Sequence, residues 1–175
     1  MAAELNIITG ANLFCDEDPD ESNHLQLSEV GLPDLTRTLE DHMPGGGFMA
    51  IGLDMNMLEA LTLPFKLIGI NIGMLQRAGY GDGIVHNYTI FKEIRDVATQ
   101  EKTRLTCVVK GIIGTASQEA YAKNLSGFNY EIQSILSYRL TLGEAVIYDF
   151  DFISNRKRVG DNDQNSRTNA ILGIV

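Results

Sequence analysis

The longest regular pattern in the chain is an alternation of polar and apolar residues in its C-terminal third. Residues 128–135, F-N-Y-E-I-Q-S-I, alternate almost perfectly, and the run continues to Leu142. A period of two is the side-chain repeat of a strand with one buried face. The next letters, G-E-A, favour a turn, and residues 146–153 are again apolar and aromatic. The sequence therefore predicts a long antiparallel hairpin, around which the rest of the chain must build a sheet.

Shorter strand patterns are spread through the rest of the chain, and helical patterns are scarce. Hydrophobic residues make up 44% of 175 positions, which is enough for one core. We predict a single domain, residues 1–175, that is mainly β (α+β), with an antiparallel β-sandwich or barrel-like fold. The other predicted strands cover residues 6–9, 12–14, 24–30, 35–39, 58–70, 84–94 and 104–113.

One short flanking α-helix is predicted at residues 72–78. Asn71 is a suitable N-cap and Gly79 a suitable C-cap. Ile72, Leu75 and Ala78 have the spacing of one helix face.

Three segments do not fit a compact sandwich. They are an acidic loop at 16–23, a glycine-bearing loop at 41–57 and a C-terminal arm at 154–175, which is polar up to Asn169 and then apolar. An apolar tail is costly in water and usually docks against something. Met49, Met55 and Met57 lie beside flexible glycines rather than in a regular strand, which favours an adaptable contact surface over core packing.

The glycines do not form a phosphate-binding loop. Residues 47–52 have the spacing of the two glycines in such a loop, but Leu53 and Asp54 stand where lysine and serine or threonine are needed. The glycines at 79–83 follow the predicted helix instead of opening it, which excludes a dinucleotide fingerprint. No complete catalytic motif is present. We therefore predict no enzyme activity and no cofactor.

Metal-ligand patterns in the sequence are incomplete. Asp16 begins an alternation of acids that imitates a calcium loop, but Glu21 replaces the required glycine and Leu27 stands at the twelfth position. A solvated acidic loop explains it better. The three histidines are far apart and no cysteine or histidine cluster has zinc spacing, so we predict no metal site.

The two cysteines have different surroundings. Cys107 lies within an apolar run and is expected to be a small core residue. Cys15 lies at the edge of the acidic loop, where we expect it to be exposed and able to form a disulfide with another subunit. The first residues lack a basic region and no apolar run is long enough to cross a bilayer, so we expect a cytoplasmic chain.

The formal net charge of −9 argues against tight binding of duplex nucleic acid, which needs clustered lysine and arginine. Asp149 and Asp151 are two apart on a predicted strand and share one face, while Tyr148 and Phe150 take the other. This face is either a functional acidic surface or an ordinary solvent-exposed one.

The order of short motifs adds a family resemblance. Residues 32–40 read L-P-D-L-T-R-T-L-E; three glycines at 45–47 and then G-L-D follow. A strand through 67–69 then leads into the short helix. In this order the chain resembles the major tail tube proteins of P2-like contractile-tailed bacteriophages. The L-P-x-L-T-R-x-L-E string with its glycines is the most specific match, and the longer acidic loop with Cys15 is the clearest departure.

The resemblance implies a structural virion protein that forms hexameric rings. In such proteins, which are similar to the tubes of pyocins and type VI secretion, inner strands form a continuous barrel, and stacked rings form the inner tube of a contractile tail. The implied partners are further copies of the chain and the sheath, tape measure, baseplate and tail terminator proteins. DNA passes through the tube without specific binding.

The resemblance also gives the three stray segments a role in contacts between rings. The residues expected there are Asp16, Glu17, Gly45, Gly46, Gly47, Phe48, Met49, Ile51, Arg156, Arg158, Ile171, Leu172 and Ile174. The acids expected to face the lumen are Glu131, Asp149 and Asp151. Two alternatives stay open: a tail terminator or baseplate ring protein of the same fold, and a small β-fold binding module or enzyme.

Overall fold

A computed structural model describes residues 5–16, 22–79, 83–121 and 125–174. Its described part contains eleven strands and two helices. They are β1 (Asn6–Cys15), β2 (Leu27–Val30), β3 (Arg37–His42), β4 (Ile51–Leu58), β5 (Leu63–Ile68), α1 (Ile72–Arg77), β6 (His86–Asp96), β7 (Lys102–Gln118), β8 (Gly127–Leu142), β9 (Ala145–Asp151), β10 (Arg156–Val159), β11 (Asn162–Asp163) and α2 (Ser166–Leu172). The mainly antiparallel β fold is confirmed.

Strand β8 organises the sheet. On one side it pairs with β7 along its length, and on the other it pairs first with β5 and then with β9. The change of partner occurs around Ser134, a non-glycine residue with a φ of +49°. The predicted hairpin of β8 and β9 is confirmed, and Gly143 takes a φ of +58° in its turn. From β7 the sheet continues through β6 to β1, and from β9 through β10 to β11, while β2 pairs with β5. Closure into a barrel is not seen among the described strands.

The core is formed by the side chains that point inward from alternate positions of these strands. It contains fully buried Tyr88, Ile90, Val109 and Ile132, together with the predicted core residue Cys107. Burial raises the pKa of the Cys107 thiol to about 12, because an apolar environment disfavours the thiolate.

The short flanking helix is confirmed. Asn71 caps it by accepting a hydrogen bond from the Met74 backbone N–H at 3.0 Å. Met74 is fully buried, and Leu75 and Ala78 are partly buried against the core. Of the three apolar residues with the spacing of one helix face, only Ile72 is exposed.

Residues 41–57 are only partly a loop. Residues 43–50 form a turn with its three glycines, and the flanking residues belong to a separate two-stranded sheet in which β3 pairs with β4. Met55 and Met57 therefore lie in strand β4, contrary to expectation. No other described helix or strand makes more than marginal contact with this pair. We call residues 37–58 the projecting hairpin.

The C-terminal arm is also more regular than predicted. Residues 156–159 pair with β9, although their letters, R-K-R-V, show no strand alternation. A second helix, α2, follows, and it ends at Gly173 with a φ of +68°.

Candidate assembly surfaces

One face of the projecting hairpin is apolar and uncovered. Ile51, Leu53 and Met55 occupy alternate positions of β4, so their side chains share a face; Met57 follows Asn56, whose φ of +55° interrupts the alternation. They are between 41% and 55% exposed in the subunit. A contiguous exposed apolar row of this kind marks a contact surface.

The hairpin also leaves its outer strand edges open. Two strands alone bury little and are marginally stable in water, and an open edge is a template for another chain. In the described part of the chain, the hairpin lacks the third strand or the helix that such a pair normally needs. Its conformation therefore fits a segment completed by a neighbouring molecule.

The glycine turn at the hairpin tip is sterically open. The Gly47 backbone N–H donates to the Pro44 carbonyl at 2.9 Å, which closes the turn. None of the three glycines has a positive φ, and a Cβ at Gly45 or Gly46 would meet nothing within 4 Å. A Cβ at Gly47 would lie 2.8 Å from the Pro44 ring. The subunit alone thus requires glycine at 47 but not at 45 or 46.

The tip carries the most exposed aromatic side chain of the described residues. Phe48 is 99% exposed and Met49 is 64% exposed. The predicted contact residues of this loop are therefore brought together at one protruding point. Met43 and Leu39, which were not among the predicted contact residues, are also largely exposed on the hairpin. The apolar alternation along β4 is the signal in the sequence that indicates this surface.

The base of the hairpin is fixed by polar contacts. Arg37 on β3 forms an ion pair with Asp54 on β4. The Asn56 backbone N–H donates to Asp54 at 2.8 Å; this bond and Arg37 hold the pKa of that carboxyl below its ordinary value. Lys157 of β10 donates from Nζ to Oδ1 of Asn56 at 2.7 Å. The projecting hairpin is thus fixed at its base and uncovered at its tip, which suits an element that contacts a neighbouring molecule.

The C-terminal helix is held by amide side chains and presents apolar ones outward. Asn155 donates to Asn169 at 2.7 Å, and Asn165 donates to Asn155 at 3.2 Å. On the helix, Ile171 is 74% exposed and Leu172 is 65% exposed, and Ile174 beyond it is also exposed. The predicted apolar tail is thus uncovered in the subunit.

The hairpin and the C-terminal arm meet around one groove. The groove has a volume of about 690 Å³ and lies between the hairpin base, the irregular part of β8, the β9–β10 turn and Asn165. Its apolar walls include Met57, Ile135 and Phe150, and Arg156 and Lys157 line it as well. Two of the three predicted contact segments therefore adjoin.

The predicted acidic face is of mixed charge. Asp149 and Asp151 share a face, but their strand partners on β10 are Arg158 and Arg156. Asp149 is only 9% exposed and accepts a hydrogen bond from Arg156 at 3.1 Å. Asp149 therefore presents little negative charge outward, because it is buried and paired.

The remaining two predicted lumen acids have more surface. Asp151 is partly exposed, and the Ser154 backbone N–H, which donates to it at 2.7 Å, holds the pKa of its carboxyl below the ordinary value. Glu131 is half-buried on β8 and accepts a hydrogen bond from Gln133 at 3.0 Å. Their orientation toward a lumen stays a prediction.

The N-terminal candidates lie elsewhere. Asp16 contacts His86 and Asn87 at the start of β6, and Glu17 lies outside the described residues. The expected exposure of Cys15 is wrong, because its side chain is fully buried. A neighbouring subunit has no access to this sulfur in the observed conformation, which argues against the predicted disulfide.

No helix in the described ranges is both long and apolar enough to cross a membrane. A search of the curated proteins gave no match. The family model for phage tail tube protein FII matches residues 5–173, which is nearly all of the chain. Members of that family are structural virion components that assemble with other tail proteins, and they are not normally enzymes. This chain belongs to the phage tail tube protein FII family.

Proposed function

We propose that the chain assembles into hexameric rings that stack into the inner tube of a contractile phage tail. The observation that carries this proposal is the apolar face of the projecting hairpin, which nothing in the described subunit covers. As a single tail tube domain, the subunit is incomplete alone and is completed by copies of itself.

Ring closure is supported by the open edges of the sheet. Among the described strands, the strand order begins at β1 and ends at β11, and each of these two pairs with one other strand. Joining such edges around a ring removes unpaired backbone groups, as it does in a closed barrel. A contact between unlike surfaces then repeats from one ring to the next and extends the tube.

Stacking is assigned to the hairpin and the C-terminal arm. Gly45 to Gly47 with Phe48, Met49 and Ile51 form the tip contact, and Ile171, Leu172 and Ile174 form the arm contact. Arg156 and Arg158 contribute charge beside the groove. Asp16 and Glu17 remain assigned to the same ring-to-ring contact, on the grounds of the family resemblance alone.

The negative net charge determines how the tube interacts with the DNA that passes through it. Six copies at −9 each carry −54 per ring. Negative charge along a lumen repels phosphate, so DNA passes without adhering. Glu131 and Asp151 are the lumen acids that we retain, while Asp149 is neutralised by its arginine partner. Replacing Glu131 and Asp151 by lysine should slow DNA delivery while tubes still assemble; unchanged infectivity would end this part of the proposal.

The partners follow from the position of an inner tube. Sheath protein surrounds it, the tape measure protein sets its length, and baseplate and terminator proteins close its ends. Assembly takes place in the bacterial host cytoplasm, and the tube then conducts DNA during ejection.

Negative-stain electron microscopy of the purified protein tests the central claim. Extended tubes built of six-membered rings are expected. Single rings that never extend would favour a terminator or baseplate protein. A stable monomer at high concentration would favour a small binding module.

A further inference from the structure

Three side chains of metal-ligand type converge where β1 ends and β6 begins. Cys15 is the last residue of β1, Asp16 follows it, and His86 is the first residue of β6. The Cys15 sulfur, an Asp16 carboxylate oxygen and a ring nitrogen of His86 all lie within 4.8 Å of one another. The sequence hid this group because His86 is far from the other two along the chain.

Backbone hydrogen bonds position the carboxylate between the other two groups. The Asp16 backbone N–H donates to the Asn87 carbonyl at 2.7 Å, and the Asn87 N–H donates to Asp16 Oδ1 at 3.0 Å. The other oxygen, Oδ2, lies 3.6 Å from the Cys15 sulfur and is in contact with His86 Nδ1. The two hydrogen bonds to the Asn87 backbone therefore hold the Asp16 side chain in a fixed orientation.

The spacing fits a tetrahedral cation. Zinc bonds of 2.0–2.3 Å at tetrahedral angles place neighbouring ligand atoms about 3.5 Å apart. The separation of 3.6 Å between sulfur and Oδ2 matches this spacing, whereas His86 Nδ1 is in direct contact with Oδ2, so a bound cation would replace that contact and move the two atoms apart. We propose that Cys15, Asp16 and His86 bind a zinc-class divalent cation, with the fourth position open to water.

The chemistry of the three groups selects the class of metal. Thiolate and imidazole prefer Zn²⁺ or Co²⁺, whereas Mg²⁺ and Ca²⁺ need sites made of oxygen ligands. Binding releases the thiol proton to solvent as the sulfur–metal bond forms, and no electron is transferred. The Asn87 N–H holds the ligating carboxylate as an outer partner. Cys15 is buried, so the metal enters on the side of Asp16, whose side chain is 38% exposed.

The proposal is tested with Co²⁺ and the full-length chain, reduced and stripped of metal. We expect one Co²⁺ per chain and a near-ultraviolet thiolate-to-cobalt absorption band that Zn²⁺ abolishes by displacement. Cys15→Ser should lose the band. Asp16→Asn and His86→Gln should bind at least about tenfold more weakly, since losing a ligand costs no less than losing an outer partner.

Cys107→Ser is the matched control, because Cys107 is a buried thiol in the same sheet without a place in the group. It should keep the band, and circular dichroism should show that every variant is folded. A wild type without the band, a band that survives in Cys15→Ser, or wild-type affinity in Asp16→Asn would each overturn the proposal.

Discussion

Lys157 on β10 donates a hydrogen bond to Asn56, the residue at which β4 departs from regular extension with a φ of +55°. This bond of 2.7 Å joins the projecting hairpin to the C-terminal arm. Lys157→Met should therefore leave the subunit folded but reduce tube formation, because the hairpin loses its fixed direction. A surface bond of this kind changes the free energy of unfolding by no more than about 0.5 kcal/mol. Sedimentation of assembled tubes and thermal unfolding measure the two effects separately.

Lys110→Met is the control, since Lys110 is an exposed lysine on β7. Equal tube yields from the two variants would show that the Lys157–Asn56 bond has no role in assembly.

The apolar row of β4 is expected to act between subunits and not within one. The double variant Leu53→Gln, Met57→Gln should abolish tubes while changing the free energy of unfolding by no more than about 1 kcal/mol, because both side chains are already exposed. Electron microscopy and chemical denaturation are the measurements. Leu25→Gln changes a leucine that is 85% exposed outside the hairpin and should assemble normally. Normal tubes from the double variant would refute the stacking role.

Two neighbouring glycines should respond differently to valine. Gly46→Val adds a side chain into open space, so thermal stability should hold within about 1 kcal/mol while stacking fails against the neighbouring ring. Gly47→Val forces contact with the Pro44 ring and should disturb the turn itself. Tube counts by microscopy and amide exchange at residues 44–48 distinguish the cases. If Gly46→Val stacks like the wild type, the tip does not enter a close contact.

A glycine in β8 should tolerate no side chain at all. A Cβ at Gly127 would lie 1.9 Å from the Leu67 carbonyl oxygen on β5. Gly127→Ala should therefore lower the free energy of unfolding by at least about 3 kcal/mol, through displacement of β5 from β8. Gly10→Ala on β1 is the control, because its Cβ meets nothing within 4 Å. Denaturant titration compares the two, and a mild effect at Gly127 would contradict the close approach.

Acidic pH should remove the contribution of Asp151 to the free energy of unfolding. The Ser154 backbone N–H, outweighing burial, holds the pKa of this carboxyl below its ordinary value of 3.8. The unfolded chain therefore takes up the proton first, and the stabilisation is complete above the ordinary value and lost as pH falls through the folded pKa. Asp151→Asn should flatten the pH dependence of Tm in that acidic range.

Ser154→Ala is the graded comparison for Asp151. It removes the Ser154 hydroxyl bond of 2.8 Å but keeps the backbone N–H, so an intermediate slope is expected. Identical slopes in all three proteins would show that the carboxylate bonds do not couple to folding.

The sequence predicted β8 and β9 well because their alternation reflects burial on one face within the subunit. The projecting hairpin was predicted only in part: the predicted strand 35–39 overlaps β3, whereas β4 was not predicted, because its apolar alternation lies beside three glycines and does not lead to burial within the subunit. Residues 156–159 became a strand through pairing with β9, a long-range cause that three basic residues and one valine do not reveal.

The candidate site divides in the same way. Phe48 and Met49 were predicted as contact residues because apolar residues beside glycines are easily recognised in the sequence. Cys15 was misplaced because its burial comes from pairing opposite Tyr88, which only the folded sheet brings near. His86 joined Asp16 by the same pairing, and spacing rules cannot detect ligands that distant strands bring together.

The projecting hairpin also affects how readily free subunits associate with one another before assembly. Its apolar side and open edges favour indiscriminate association, while the charge of −9 per copy keeps separate copies apart. Salt screens this repulsion over a Debye length of about 10 Å at 0.1 M but leaves the apolar face unchanged. Ionic strength therefore sets the concentration at which subunits begin to associate. A subunit should add to a tube end more readily than it associates with another free subunit, because the partner surface at the tube end is already formed.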